Sequence, residues 1–198
     1  MEGTKEKILI AALGLFAKNG YEAVSVSDIA GEIGITKGAL YKHYKSKRSI
    51  FDSIVARMYA IDAQRSKQYG VPPEKYEVCA DEYGRVTVEN LKNFTFAQFE
   101  FWTKDPFAAD FLKMLSLERY HSDEAEKLYR SCIADGPVEY VCDIFRSMAK
   151  RGLVKKSSPE LLAMEFYAPF YLLVSVNADI EPLKEHIEKF VKENIKEI

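Results

Sequence analysis

The chain lacks most of the signals that would mark an enzyme, a secreted protein or a membrane protein. Its three cysteines, Cys79, Cys132 and Cys142, are scattered through 198 residues without a C-x-x-C pair. An odd, scattered set builds no disulfide framework and fits reduced thiols in a cytoplasmic protein. No phosphate-binding glycine loop, nucleophile elbow, dinucleotide fingerprint or zinc spacing is present. The sequence therefore offers no catalytic residues, no metal site and no cofactor. Long apolar runs are missing as well. Met1 to Lys7 is polar and the first apolar run is broken by Lys18, so no signal peptide is expected. The most apolar stretch, Leu161 to Val176, contains Glu165 and Pro169 and is shorter than a membrane span, so no membrane partner is expected. Strand-like alternation, internal repeats and low-complexity tracts are absent too.

What is present is an ordinary core-forming composition, 47% hydrophobic and 29% charged, with a net charge of −2. That total alone does not suggest a nucleic-acid partner, but its distribution does. Residues 1–50 hold eight Lys/Arg against five acids, whereas the remainder holds twenty against twenty-five. A basic head on an acidic body orients approach to a polyanion.

The basic head centres on Ser25 to Arg48. Ser25 is a good N-cap, and Asp28 three residues on completes a capping-box-like start. Ile29, Ala30 and Ile33 supply an inward face, and Gly34 makes a turn. Thr36 caps the next helix and Ser46 the one after. Between Ile35 and Arg48 lie five basic residues and no acid. Two short helices joined by a glycine turn, the second basic, form a helix-turn-helix pattern. Leu40 and Tyr44, four apart, read as structural. Thr36, Lys37, Gly38, Ala39, Tyr41, Lys42 and His43 are free to face out. A helix N-terminus offers N–H groups to phosphate. Gly38 lets the backbone approach closely. Lys37 and Lys42 suit phosphate or guanine, and Ala39 suits a thymine methyl.

The run Asp28-Ile29-Ala30, Gly34 to Tyr44 and Ser46-Lys47 resembles the DNA-binding domain of TetR-family repressors. The resemblance covers residues 4 to about 55. Tyr44 stands where the family most often has Phe, and Arg48-Ser49 replaces a common acidic pair. The resemblance implies DNA contacts from Thr36, Lys37, Tyr41 and His43, and from Lys47 at the next helix start. With Ser25, Gly38, Ala39 and Lys42 these make up the candidate DNA-binding set. The family's effector pocket is implied among the later helices, and its usual assembly is a homodimer.

Along the rest of the chain the periodicity predicts helices over about 4–19 and 46–68. A long one is expected over 73–103 despite Gly84, and others begin at Asp105-Pro106 and Ser122. A Gly136-Pro137 break precedes a helix ending at Gly152, and Ser158-Pro159 opens an apolar helix to about 178. The last spans about 181–196. The expected fold is all-α, with nine or ten helices. An N-terminal three-helix helix-turn-helix DNA-binding domain (1–48) precedes a helical-bundle effector-binding and dimerisation domain (49–198).

Tyr83, Thr87, Asn90, Phe94, Gln98 and Phe101 share one stripe of the expected long helix, so polar groups sit among aromatics. A bundle cavity with a few convergent polar groups suits a small molecule, with Phe107, Phe111, Met114 and Tyr120 as further walls. The same stripe serves equally as plain core. The 161–176 helix is apolar nearly all round and needs cover on more than one side. Beside the 138–151 helix it suggests a two-fold four-helix contact through Val141, Phe145, Met148, Leu161, Glu165, Ala168, Leu172 and Val176. Glu118-x-x-His121 is half of a di-iron motif whose second copy is absent.

The expected function is a TetR-like regulator, a repressor released from double-stranded operator DNA by a small-molecule effector. The alternatives are a ligand-responsive activator, a small-molecule binder that keeps the fold without DNA binding, and a helical-bundle enzyme.

Overall fold

Most helices in this chain begin where a short polar side chain takes up a free N–H group of the first turn. The computed structural model describes residues 3–73, 81–155 and 158–196. Residues 74–80 of the helix expected over 73–103, Cys79 among them, lie outside those residues. Ten helices are assigned among the described residues: α1 (Thr4–Asn19), α2 (Val26–Glu32), α3 (Lys37–Tyr41), α4 (Lys47–Gln68), α5 (Val88–Lys104), α6 (Pro106–Glu118), α7 (Asp123–Ile133), α8 (Asp135–Lys150), α9 (Pro159–Ser175) and α10 (Glu181–Asn194). No strand occurs among them, only an isolated bridge between Val154 and Ile195.

The caps account for most of these starts. The Ser25 hydroxyl accepts from the Asp28 amide at 3.1 Å while the Asp28 carboxylate accepts from the Ser25 amide at 2.7 Å. These bonds hold the Asp28 carboxyl below the usual carboxylate range. Thr36 accepts from Ala39 at 3.1 Å, Asp105 from Ala108 at 3.0 Å, Ser122 from Ala125 at 3.1 Å and Ser158 from Leu161 at 3.2 Å. Gly136 and Pro137 fall in the first turn of α8, just past the break at Ala134. A Cβ on Gly136 would stand 2.1 Å from the Ser131 carbonyl oxygen, so only glycine fits that corner.

One expected element is different. The helix predicted over 73–103 is interrupted: residues 81–83 are helical, 84–87 are not, and α5 starts afresh at Val88. Thr87 and Asn90, read as polar members of a continuous stripe, form the cap of α5. The Thr87 amide donates to Asn90 Oδ1 at 3.1 Å, the Asn90 amide to Thr87 Oγ1 at 3.0 Å, and the Thr87 hydroxyl to Asn90 Oδ1 at 2.6 Å. The carbonyls freed at the break are taken up from α8 and its C-terminus. Ser147 Oγ donates to Tyr83 O at 3.0 Å, and Arg151 donates to Gly84 O at 3.0 Å and Val86 O at 2.7 Å. Interrupting the helix at Gly84 therefore leaves these carbonyls satisfied.

The described chain forms two compact units. The first contains residues 1–61 and 104–129. In it α1 lays Ile8, Leu9, Ala12, Leu13 and Phe16 inward, and α6 does the same with Phe107, Ala108, Phe111, Met114 and Leu115. Ile29, Leu40, Ile50 and Ile54 are fully covered, joining α2, α3 and the start of α4 to that core. The second contains residues 62–103 and 130–198. Its centre is a ring cluster, with Phe145, Phe166 and Phe190 at centroid separations of 5.6, 5.3 and 5.6 Å. Helix α4 gives most of its length to the first unit and its last residues to the second. No helix among the described residues is long and apolar enough to cross a membrane.

Candidate nucleic-acid interface

Helix α3 has five residues and would not persist alone. Its neighbours hold it. Leu40 is fully buried and Tyr44 nearly so, and the Tyr44 hydroxyl donates to the Lys5 carbonyl at 3.4 Å. Gly34 sits at φ +69°, the left-handed turn that separates α2 from α3. With one edge pinned, the opposite edge is presented to solvent. Thr36, Lys37, Gly38, Tyr41, Lys42 and His43 are all exposed and Ala39 is half-buried. Lys37 Nζ stands 6.0 Å from the Tyr41 ring centroid, so a cation and an aromatic lie side by side on that edge. Ser25, at the start of α2, is exposed as well.

Lys47 is half-buried and differs from the other candidates. Its ammonium donates to the Tyr21 carbonyl at 2.7 Å and the Glu22 carbonyl at 3.4 Å, and lies 4.1 Å from the Tyr21 ring centroid. It therefore ties the start of α4 to the α1–α2 connector and keeps a third N–H to offer elsewhere. Arg48 is held at both ends: Nε donates to Asp52 at 2.7 Å and Nη1 to Glu124 at 2.9 Å. That pairing holds the Glu124 carboxyl below its usual range.

The candidate ligand residues divide between the two units. In the second, Tyr83 is fully buried and Phe94 nearly so. Gln98 accepts from Arg65 Nε at 2.8 Å and donates to Asp62 at 2.6 Å, and the same Arg65 guanidinium lies 4.5 Å from the Phe101 ring centroid. Thr87 and Asn90 are occupied with each other as a cap. In the first unit, Phe107, Phe111 and Met114 are buried on the inner face of α6, and the Arg57 guanidinium lies 4.5 Å from the Phe107 centroid. Tyr120 is 78% exposed, with the Arg119 guanidinium 4.6 Å from its ring centroid.

The candidate dimer residues also separate. Val141, Phe145 and Met148 are buried within the chain, and the Phe145 ring packs against Phe166 of α9 and Phe190 of α10. Leu161, Leu172 and Val176 are exposed by 69, 59 and 64%, and Met164, outside the expected set, by 56%. Glu165 and Ala168 are exposed between them. Spacings of three, four, four and four residues place Leu161, Met164, Ala168, Leu172 and Val176 along one side of α9. Sequence periodicity missed Met164 because α9 is apolar on nearly every side.

Among the described residues no group of three or more His, Cys, Asp or Glu is placed to hold a metal. Glu118, the carboxylate of the half motif, is instead buried and accepts from the Tyr21 amide at 2.7 Å. Nothing in the local sequence announces a contact 97 residues away.

Residues 8–54 match the family model described as bacterial regulatory proteins, tetR family. The uncharacterized HTH-type transcriptional regulator YerO of Bacillus subtilis (strain 168) is 32% identical over 171 residues, covering 78% of this chain and 54% of YerO. IcaR, the negative transcriptional regulator of the biofilm operon icaADBC in Staphylococcus aureus (strain Newman), is 41% identical over 51 residues, 26% of this chain and 27% of IcaR. The chain thus spans about half the length of the first relative and about a quarter of the second. Among solved structures, the SmeT–triclosan complex aligns over 99% of this chain and 93% of its own at TM-score 0.72 and 16% identity. SmeT, the repressor of the Stenotrophomonas maltophilia multidrug efflux pump SmeDEF, also aligns over 99% of this chain and 92% of its own, at TM-score 0.65 and 19% identity. At those identities the likeness is one of fold.

Proposed function

We propose that this chain, whose residues 8–54 match the tetR-family model of bacterial regulatory proteins, is a homodimeric, ligand-responsive regulator of that family that represses transcription by holding a palindromic operator. The observation that carries this reading is the presentation of α3. Leu40 and Tyr44 are locked into the core while Thr36, Lys37, Tyr41, Lys42 and His43 are exposed on the opposite edge. Such an edge carries donors for phosphate and base edges. The description of IcaR as a negative regulator supports repression for a related DNA-binding domain.

In this reading residues 1–48 are the DNA-binding domain and 49–198 bind the effector and the second protomer. The exposed side of α9, Leu161 to Val176, is the two-fold contact. It doubles α3 and sets the two copies about 34–36 Å apart, one turn of duplex. A small molecule received within the second unit, among Tyr83, Phe94, Gln98 and Phe101, would act on operator binding through α4, whose last residues belong to that unit. Effector and operator then oppose each other with a coupling of about 1–3 kcal/mol. Titrating candidate compounds into a complex with the DNA upstream of its own gene checks this in one mobility-shift experiment. The expected result is a shifted band that a saturating compound weakens by about 5- to 150-fold. A protein that shifts no DNA, or a bound compound that leaves the affinity unchanged, would contradict the binding claim or the coupling claim respectively.

A further inference from the structure

We propose that Glu118 is a positioning residue for the DNA reader, fastening the α1–α2 connector to the end of α6 and so setting how α2 and α3 are presented. The inference rests on the reading of α3 as a DNA-contacting helix. Few polar side chains are buried among the described residues, and Glu118 is the one that carries a formal charge, at 6% exposure. Burying a carboxylate is unfavourable unless it is well bonded. Its Oε1 accepts from the Tyr21 amide at 2.7 Å, a charge-assisted bond, and Oε2 stands 3.5 Å from Nδ1 of the exposed His121.

The Tyr21 residue is gripped from both sides. Glu118 takes its N–H, and Lys47 donates to its carbonyl at 2.7 Å. Its ring packs 5.1 Å from Phe16 and 5.3 Å from Phe51, centroid to centroid. The connector is shaped for this approach. Gly20 adopts φ +82°, and a Cβ there would come within 3.2 Å of Glu118 Oε1. A second tie lies a few residues on, where Glu124 pairs with both terminal nitrogens of Arg48 at the start of α4.

These bonds bind segment 118–124 to both sides of the helix-turn-helix, the connector before α2 and the helix after α3. Only three residues separate Tyr21 from Ser25, the cap of α2. A shift in the end of α6 would thus reach the reader without passing along α4. Position 118 needs a hydrogen-bond acceptor at that point.

The test compares full-length wild type with Glu118→Gln, which keeps an acceptor for the Tyr21 amide, and Glu118→Met, which keeps the volume without one. Hydrogen exchange at the Tyr21 amide, thermal melts, and affinities for the selected operator, for the same operator with one base pair added between half-sites, and for unrelated duplex are read on all three. We expect Tyr21 protected in wild type and Glu118→Gln and exchanging in Glu118→Met. The Met variant should lose about tenfold on the operator, keep its affinity for unrelated duplex, and lose part of the penalty for the added base pair. Equal losses on all DNA, or an unchanged spacing penalty in a folded Met variant, would overturn the positioning role alone. Failure of the Gln variant to restore binding would do the same. A wild type that distinguishes no DNA sequence would overturn this inference together with the reading it rests on.

Discussion

A carboxylate introduced midway along the exposed side of α9, Leu172→Glu, is expected to leave the chain folded but monomeric and to lower affinity for a palindromic operator by at least about a hundredfold. Leu172 is 59% exposed in the single chain, so the substitution removes little internal packing. Exposed substitutions of that kind usually change stability by less than about 0.5 kcal/mol. In a two-fold contact the new charge is buried in both protomers. A buried unpaired charge costs about 3–5 kcal/mol, and each 1.4 kcal/mol is tenfold. The loss of the dimer also removes the second reader, whose binding is effectively intramolecular once the first has bound. Sedimentation equilibrium and operator titration measure both parts. A Leu172→Glu protein with dimer mass and undiminished operator affinity would show that this face of α9 is not the contact.

Tyr41→Ala and His43→Ala are each expected to cost about 1–3 kcal/mol on the operator, roughly ten- to a hundredfold, with much less change on unrelated duplex. Both side chains stand on the exposed edge of α3, away from buried Leu40. Their removal should therefore leave the melting temperature nearly unchanged. Lys47→Ala gives the contrasting pattern. It weakens binding to all DNA by a smaller factor and makes the salt dependence shallower by about one unit of slope. Because the Lys47 ammonium also holds the Tyr21 carbonyl, this variant should add a smaller operator-specific loss to the uniform one. Isotherms at several salt concentrations separate the two classes. A Lys47→Ala protein with the wild-type slope would argue against a phosphate role, and a uniform loss for Tyr41→Ala would argue against base contact.

The reader is the most legible part of the chain because its determinants are local. Ser25 with Asp28, Thr36, and Gly34 act within three residues, and each occupies the cap or turn that its type implies. The break at 84–87 was not legible. Thr87 and Asn90 fall on the face that a continuous helix would turn inward, and their mutual capping has the same spacing as a stripe. Nor does periodicity tell a chain's own core from a partner's surface. Val141, Phe145 and Met148 look like Leu161 and Leu172 in sequence, yet the first three are buried within the single chain and the last two are exposed. Glu118 was visible only as half of a metal motif, because its bonding partner is a backbone amide that no side-chain pattern encodes.

Selection of bound duplexes from a random pool by the full-length protein tests the central claim most directly. The account predicts enrichment of one inverted repeat, with half-sites one helical turn apart centre to centre, about 10–10.5 base pairs or a multiple of it. A pool that shows no enriched sequence after repeated rounds, or one enriched only for an unrepeated single site, would contradict it.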